Sequence, residues 1–284
     1  MLNYEETLKK LEKYNQTHLL KFYDELNNSE KEELLNDINT IYFEELMQIN
    51  STISNNKNCT NNHESSNATN NENDADSLKL KPIEVIDKYS INDDETDKYT
   101  QIGEDLIKAG KVAVCTMAGG QGSRLGHNGP KGTFIVPLKE PKSIFQIATE
   151  HLLNAYKKYG IYINWYIMTS EDNDAVTRAF FEENNYFGYS KEHVKFFKQG
   201  ELPLLGLDGK ILLRNKHQVY KAANGNGGIF KALEDNGIIT ELKEKGVEYL
   251  ATCNVDNILI HLIDPIAIGL MIEKNVELVA KSSV

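Results

Sequence analysis

The residues best suited to chemistry lie between positions 112 and 132. An apolar run, Val112-Ala113-Val114-Cys115-Thr116-Met117, feeds Ala118-Gly119-Gly120-Gln121-Gly122-Ser123-Arg124-Leu125-Gly126, and Pro130-Lys131-Gly132 follows. Three glycines among four residues let the backbone pass close to a ligand and turn its N–H groups toward phosphate. Arg124 can fork across two phosphate oxygens, and Lys131 offers a compact charge. Cations over a transferring phosphoryl group stabilise the charge that grows in its transition state. Spacing excludes two common phosphate loops: no lysine follows Gly126 as GxxxxGK[ST] requires, and in Gly120-x-Gly122 the third glycine of GxGxxG, Gly126, comes one residue too late.

Three further places carry polar groups next to apolar runs. Asp256 follows Tyr249-Leu250-Ala251-Thr252-Cys253-Asn254-Val255, so its carboxylate falls at the end of a strand. A magnesium ion commonly takes one or two carboxylates and fills its octahedron with phosphate oxygens and water; an Asp-Asn pair at that position equally reads as a turn cap. Gln199 follows Val194-Lys195-Phe196-Phe197, and its amide can read donor and acceptor positions on a base edge, although a solvated loop residue has the same signature. Asn224-Gly225-Asn226-Gly227-Gly228 precedes a predicted helix over Ile229–Glu234, where close backbone approach and a helix N-terminus favour anions; a plain helix-entry turn is the alternative. His127, His217 and His261 have no partners at metal-ligand spacing.

The elements that must position these groups follow from periodicity. Apolar runs and amphipathic helices alternate at Val112–Met117, Ser143–Tyr159, Ile163–Thr169, Ala175–Asn184, Val194–Lys198, Val247–Thr252, Pro265–Glu273 and Glu277–Ala280. That alternation predicts an α/β fold with a mixed, mainly parallel sheet flanked by helices, whose ligands sit beyond the carboxyl ends of the strands. Ahead of it, Tyr4 to Met47 reads as a helical arm, with Ser29-x-x-Glu32 as a capping box. Residues 50–76 are dominated by Asn, Ser, Thr, Asp and Glu and offer little apolar surface to offset ordering, so this stretch is expected to be a disordered insertion. The expected organisation is a helical arm over 1–49, the insertion over 50–77 and the sheet domain over 78–284.

Composition narrows the class. The 284 residues are 40% hydrophobic and 26% charged, and 31 basic against 42 acidic residues leave a net charge of −11 without any Lys/Arg-rich tract. These values argue against a nucleic-acid partner. No apolar stretch approaches the length of a membrane span and the N-terminus lacks a secretory pattern, so a soluble protein is expected. Cys59, Cys115 and Cys253 are few and widely spaced, which suits a reducing, cytoplasmic setting.

Taken together, Gly119 to Gly126 with Pro130-Lys131-Gly132 resembles the signature loop of the UDP-sugar pyrophosphorylases, in particular the eukaryotic-type UDP-N-acetylglucosamine branch. His18-Leu19-Leu20, Met168-Thr169-Ser170, Phe197-Lys198-Gln199, Asn224 to Gly228 and Val255-Asp256-Asn257-Ile258-Leu259 fall in that family's order, and Ala118 and Gln121 are similar to the N-acetylglucosamine branch. The resemblance implies a nucleotide-diphospho-sugar transferase fold of the glycosyltransferase-A-like kind. It also implies the reaction of UTP with N-acetylglucosamine 1-phosphate, giving UDP-N-acetylglucosamine and pyrophosphate with Mg²⁺ or Mn²⁺. By the same resemblance Arg124 and Lys131 are catalytic. Ala118, Gly119, Gly120, Gln121, Gly122, Gln199 and Gly225 bind nucleotide, Asn226 meets the sugar and Asp256 the metal. Glucose, galactose or N-acetylgalactosamine 1-phosphate remain alternative substrates, and an inactive nucleotide-binding fragment a third reading. Family members continue past Val284, so the sheet domain is expected to be incomplete at that end.

Overall fold

The computed structural model describes residues 3–48, 85–87 and 90–282, so the expectation of a disordered insertion lies outside the described residues. The chain forms two units: Met1–Val85 with Glu201–Ala222, and Ile86–Gly200 with Ala223–Val284.

In the first unit, helix α1 (Tyr4–Lys13) and helix α2 (Asn28–Asn39) are joined through two short 3-10 turns, and residues 43–48 are again helical. Both helices start at a capping box, Asn3 with Glu6 and Asn27 with Glu30. The second corrects the predicted box at Ser29. Asparagine caps as well as serine, and with Asn27 extended at ψ 171° the helix begins at Asn28, leaving Ser29 inside its first turn. Leu11, Leu19, Leu34, Ile38 and Phe43 build a core that is completed by Ile211 and Val219 from far along the sequence. Gln16 fixes that association at the backbone, its Oε1 accepting from Ile211 N at 2.9 Å and its Nε2 donating to Gly209 O at 3.0 Å. Lys221 adds an ion pair to Asp37 on α2 at 2.6 Å.

The second unit is the predicted α/β sheet with helices on both faces. In it lie helix α3 (Asp93–Lys108), strand β1 (Val112–Met117), the short strands β2 (Ile135–Val136) and β3 (Lys142–Ser143), helix α4 (Ile144–Tyr159), strand β4 (Asn164–Thr169), helix α5 (Asp174–Glu183) and strand β5 (Val194–Lys198). Helices α6 (Ile229–Asp235) and α7 (Ile238–Glu244), strand β8 (Tyr249–Asn254) and helix α8 (Pro265–Glu273) complete it, while the short strands β6 (Glu201–Pro203) and β7 (Lys221–Ala223), which pair with each other, fall but for Ala223 in the first unit. The main sheet runs β5-β4-β1-β8, with every neighbouring pair parallel.

Period-2 alternation divides its side chains between two cores. Val112, Val114, Trp165, Ile167 and Phe196 face Ile107 of α3, Phe145 and Leu152 of α4, Phe181 of α5 and Ile268 of α8. Ala113, Cys115, Tyr166, Met168 and Phe197 face Ile229, Leu233, Ile238 and Leu242 of α6 and α7. Helices α3 and α8 meet backbone to backbone. A Cβ added at Gly103 would lie 2.0 Å from Pro265 O, and one at Gly269 would lie 2.0 Å from Tyr99 O. Since Gly103 meets Pro265 while Tyr99 meets Gly269, the two helices run antiparallel. The predicted strand over Val247–Thr252 is displaced to Tyr249–Asn254, where it keeps register with β1. Residues 277–280 form no strand: Leu278 is 75% exposed, and an apolar run without a neighbouring strand has no partner for its backbone groups.

Candidate active site

Strand β1 lies between β4 and β8, so the loop leaving its carboxyl end is flanked by the loops after both. Ala118 extends the ladder by one bond, its N–H donating to Met168 O at 2.7 Å, and the glycine turn then begins. The turn folds back on itself: Gly122 N donates to Gly129 O at 2.8 Å, Lys131 N to Gly120 O at 3.0 Å, and Gln121 bridges to Pro130. Two glycines are required by close approach. A Cβ on Gly119 would sit 2.3 Å from Gln199 Nε2, and one on Gly132 would sit 2.2 Å from Cε2 of the fully buried Phe145. Contact between Gly119 and Gln199, residues on separate loops, places the expected base-reading amide against the expected phosphate loop.

Lys131 follows Pro130 in a 3-10 turn, and its Nζ pairs with Asp256 Oδ2 at 2.8 Å. The lysine side chain is 22% exposed and the aspartate 49%, so both heads remain open to solvent on one side. The pair thus joins the β1 loop to the turn after β8. Arg124 sits in the 3-10 turn Ser123–Leu125, exposed and without an ion-pair partner among the described residues. His127 is a supporting residue: its Nε2 meets Thr133 Oγ1 at 2.8 Å, and that hydroxyl donates to Pro130 O.

The loop at 224–228 presents Gly225 at φ 74° and ψ −173°, a conformation essentially confined to glycine. Asn226 next to it donates from Nδ2 to Asn254 Oδ1 at 2.8 Å, and its main-chain oxygen accepts from Ile229 N. Asn224 N donates to Gly200 O at 3.0 Å, tying this loop to the one that carries Gln199. The structure therefore brings Ala118, Gly119, Gly120, Gln121, Gly122, Lys131, Gln199 and Asp256 to one edge of the sheet. Gly225 and Asn226 join them through Gly200 and Asn254, and Arg124 stands on the outer face of the same loop.

Sequence reasoning missed a buried polar relay beneath this edge. Asn173, fully buried ahead of α5, makes no capping bond to its helix. Its Nδ2 donates to Ala118 O at 3.0 Å and its Oδ1 accepts from Ser170 N at 2.8 Å. Asp174 accepts from Thr169 Oγ1 at 2.6 Å and from Arg178 Nε at 2.7 Å. Burial pushes the Asp174 carboxyl up, but the bonds from Arg178 and Thr169 outweigh it and hold the group below the usual carboxylate range. An asparagine before a helix reads as an ordinary cap, so nothing in its spacing betrays a side chain spent on another loop. Asn254 was likewise hidden, since it reads as one more residue of the β8 run.

Known proteins can be set beside this geometry. A profile of the family described as UTP--glucose-1-phosphate uridylyltransferase matches residues 57–283. The chain is 35% identical, over 98% of its length and 57% of the other, to a Dictyostelium discoideum protein named "Probable UDP-N-acetylglucosamine pyrophosphorylase". It is 37% identical, over 72% of its length and 44% of the other, to the UDP-N-acetylglucosamine pyrophosphorylase of Saccharomyces cerevisiae. Among solved structures, the uridine diphosphate N-acetylglucosamine pyrophosphorylase of Trypanosoma brucei in complex with inhibitor superimposes with a TM-score of 0.70 at 27% identity, covering 97% of this chain and 55% of that one. The chain spans about half the length of the curated relatives it matches. With a profile that takes in most of its residues, the glycine turn included, the chain belongs to the UTP--glucose-1-phosphate uridylyltransferase family.

Proposed function

We propose that this chain is a uridylyltransferase that joins N-acetylglucosamine 1-phosphate to UTP, giving UDP-N-acetylglucosamine and releasing pyrophosphate. One observation carries the reading: Lys131 and Asp256, distant in sequence, meet at 2.8 Å at the edge where the glycine turn ends β1. The names of its relatives support the amino sugar, while the family's own description names glucose 1-phosphate, which is therefore the comparison substrate.

The chemistry needs no nucleophilic side chain. An anionic oxygen of the sugar phosphate attacks the α-phosphorus of UTP, a new P–O bond forms, and the bond from that phosphorus to the bridging oxygen breaks as pyrophosphate leaves. The protein's work is to hold two polyanions in line and to spread their charge. In this reading the N–H groups of Gly119 and Gly120 and the heads of Arg124 and Lys131 meet the phosphates, while Gly122, its N–H bonded to Gly129 O, closes the turn that presents them. Gln199 and Gly225 meet the uracil, with Ala118 and Gln121 framing the turn, and Asn226 meets the sugar.

A divalent cation fits this edge only as a partner of the phosphates. Among the described residues no three His, Cys, Asp or Glu side chains converge as a protein cage, and Asp256 offers a half-exposed carboxylate beside the turn. That donor set suits Mg²⁺, which keeps water and phosphate oxygens in its shell. Bound there, it would neutralise phosphate charge, with Asp256 as its protein ligand. A cytoplasmic setting belongs to the same proposal, supported by the free, buried thiols of Cys115 and Cys253. Among the described residues no helix is long and apolar enough to cross a membrane.

The test is pyrophosphate release from UTP and Mg²⁺ with N-acetylglucosamine 1-phosphate, with glucose 1-phosphate in parallel. Release dependent on the amino sugar supports the proposal; turnover of glucose 1-phosphate alone overturns the substrate. Lys131→Ala and Asp256→Ala should each lower turnover on the order of 100-fold or more, and near-normal rates in either would remove that residue from the site.

A further inference from the structure

The buried relay beneath the sheet edge has no part in the chemistry just described, yet it touches the glycine turn at a decisive atom. We propose that Asn173 is a positioning residue that aims the Gly119 N–H into the nucleotide site and keeps it in register with Gln199. This deepens the nucleotide-binding reading and rests on it.

Ala118, the residue after β1, makes the last bond of the sheet ladder on this side, through its N–H to Met168 O. Its carbonyl points onward, where β4 has already turned away: Thr169 ends the strand and Ser170 leads into α5. No strand backbone is left to serve that carbonyl, and Asn173 Nδ2 takes the place at 3.0 Å. The same amide anchors itself by accepting from Ser170 N at 2.8 Å. Both ends of one buried side chain are thus spent on holding two loops at a fixed separation.

Peptide planarity turns this into control of the site. The Ala118 C=O and the Gly119 N–H belong to one rigid plane and point in opposite directions. Glycine has no Cβ to restrict the plane's rotation, so its orientation depends on what holds the carbonyl. With the oxygen bound inward to Asn173, the Gly119 N–H is turned the other way. Across the neighbouring loop Gln199 is fixed by its own N–H to Thr169 O at 2.8 Å, and its side chain lies against Gly119. Thr169 Oγ1 in turn donates to Asp174 Oδ1 at 2.6 Å and lies 3.1 Å from Phe197 O, so the ends of β4 and β5 gather at the same hydroxyl. Among the described residues no other hydrogen bond holds the plane of Ala118 C=O and Gly119 N–H, so loss of the Asn173 amide frees it.

Amide hydrogen exchange and UTP binding by calorimetry test this on the full chain. In Asn173→Ala, exchange across residues 118–122 should quicken at least tenfold, and the UTP dissociation constant should rise about tenfold. Asn173→Asp keeps the acceptor for Ser170 N and loses the donor to Ala118 O; it should show the same loss, and wild-type behaviour would overturn the inference. Leu152→Ala, a core truncation in α4, supplies a destabilised control that should leave UTP affinity within twofold. Equal loss of affinity in that control, or unchanged exchange in Asn173→Ala, would also overturn it. Wild-type protein that binds no UTP would instead sink the nucleotide reading, while the exchange measurement would still decide whether Asn173 orders the turn.

Discussion

Replacing Gly103 with alanine sets two effects of opposite sign against each other. In a free helix the change stabilises by about 1 kcal/mol, because alanine loses less backbone entropy. Here the added Cβ would stand 2.0 Å from Pro265 O and 2.6 Å from Pro265 C and Cα, all backbone atoms with no rotamer in which to retreat. Ordinary contact begins near 3.4 Å, so α3 and α8 must separate by more than an ångström and loosen the flanking packing around Tyr99, Ile107 and Ile268. Overpacking of this kind costs about 1–3 kcal/mol and sometimes more, and a contact between two backbones belongs at the upper end. We expect a net loss of about 2 kcal/mol, which for a unit of this size lowers Tm by roughly 4–8 °C. Thermal unfolding followed by circular dichroism measures it. Gly269→Ala should behave alike, and the double variant should lose less than the sum, since both open the same gap. A Tm equal to or above wild type in Gly103→Ala would refute the reasoning.

Burial pushes the Glu241 carboxyl up, but Lys195, Lys245 and Tyr166 hydrogen-bond to it and bring it down to about 2. A depressed carboxylate contributes stability above its unfolded pKa that is lost as pH falls, so the stability gap between wild type and Glu241→Gln should shrink between about pH 5 and pH 2; a gap constant over that range would contradict the assignment. Burial raises the thiols of Cys115, to about 12, and Cys253. Neither should react with iodoacetamide at pH 8 in the native protein, and mass spectrometry showing either alkylated without unfolding would count against the packing. Gly225→Ala forces a side chain into a conformation that costs about 1–3 kcal/mol; UTP affinity measured by calorimetry should fall about tenfold, and an unchanged value would detach this loop from the nucleotide.

What the sequence displayed was local. β1, β5 and α8 have the bounds that hydrophobic spacing predicts, because strand alternation and a proline at a helix start are properties of neighbouring residues. The glycine turn was legible for the same reason. Pairings across the chain were not. Lys131 and Asp256 were read as separate agents, and nothing within either segment indicates that they meet. Asn27 and Ser29 each begin a pattern that fits a capping box, and the choice between them falls to the backbone at ψ 171°. Residues 277–280 carry a strand's composition without a neighbour to pair with. Asn173 looks like a helix cap until Ala118 is placed beside it.

The union of Gln16 with Ile211 has a consequence for biosynthesis. The two partners are 195 residues apart, so at 5–20 residues per second the helical arm waits about 10–40 s for the segment that completes its core. During that interval Leu11, Leu19, Leu34 and Ile38 lack the covering of Ile211 and Val219. The residues of this arm are thus made long before they are fully buried. A growing chain of this protein presents a sticky stretch in the arm, which makes it the natural place for a chaperone to engage before residue 222 emerges.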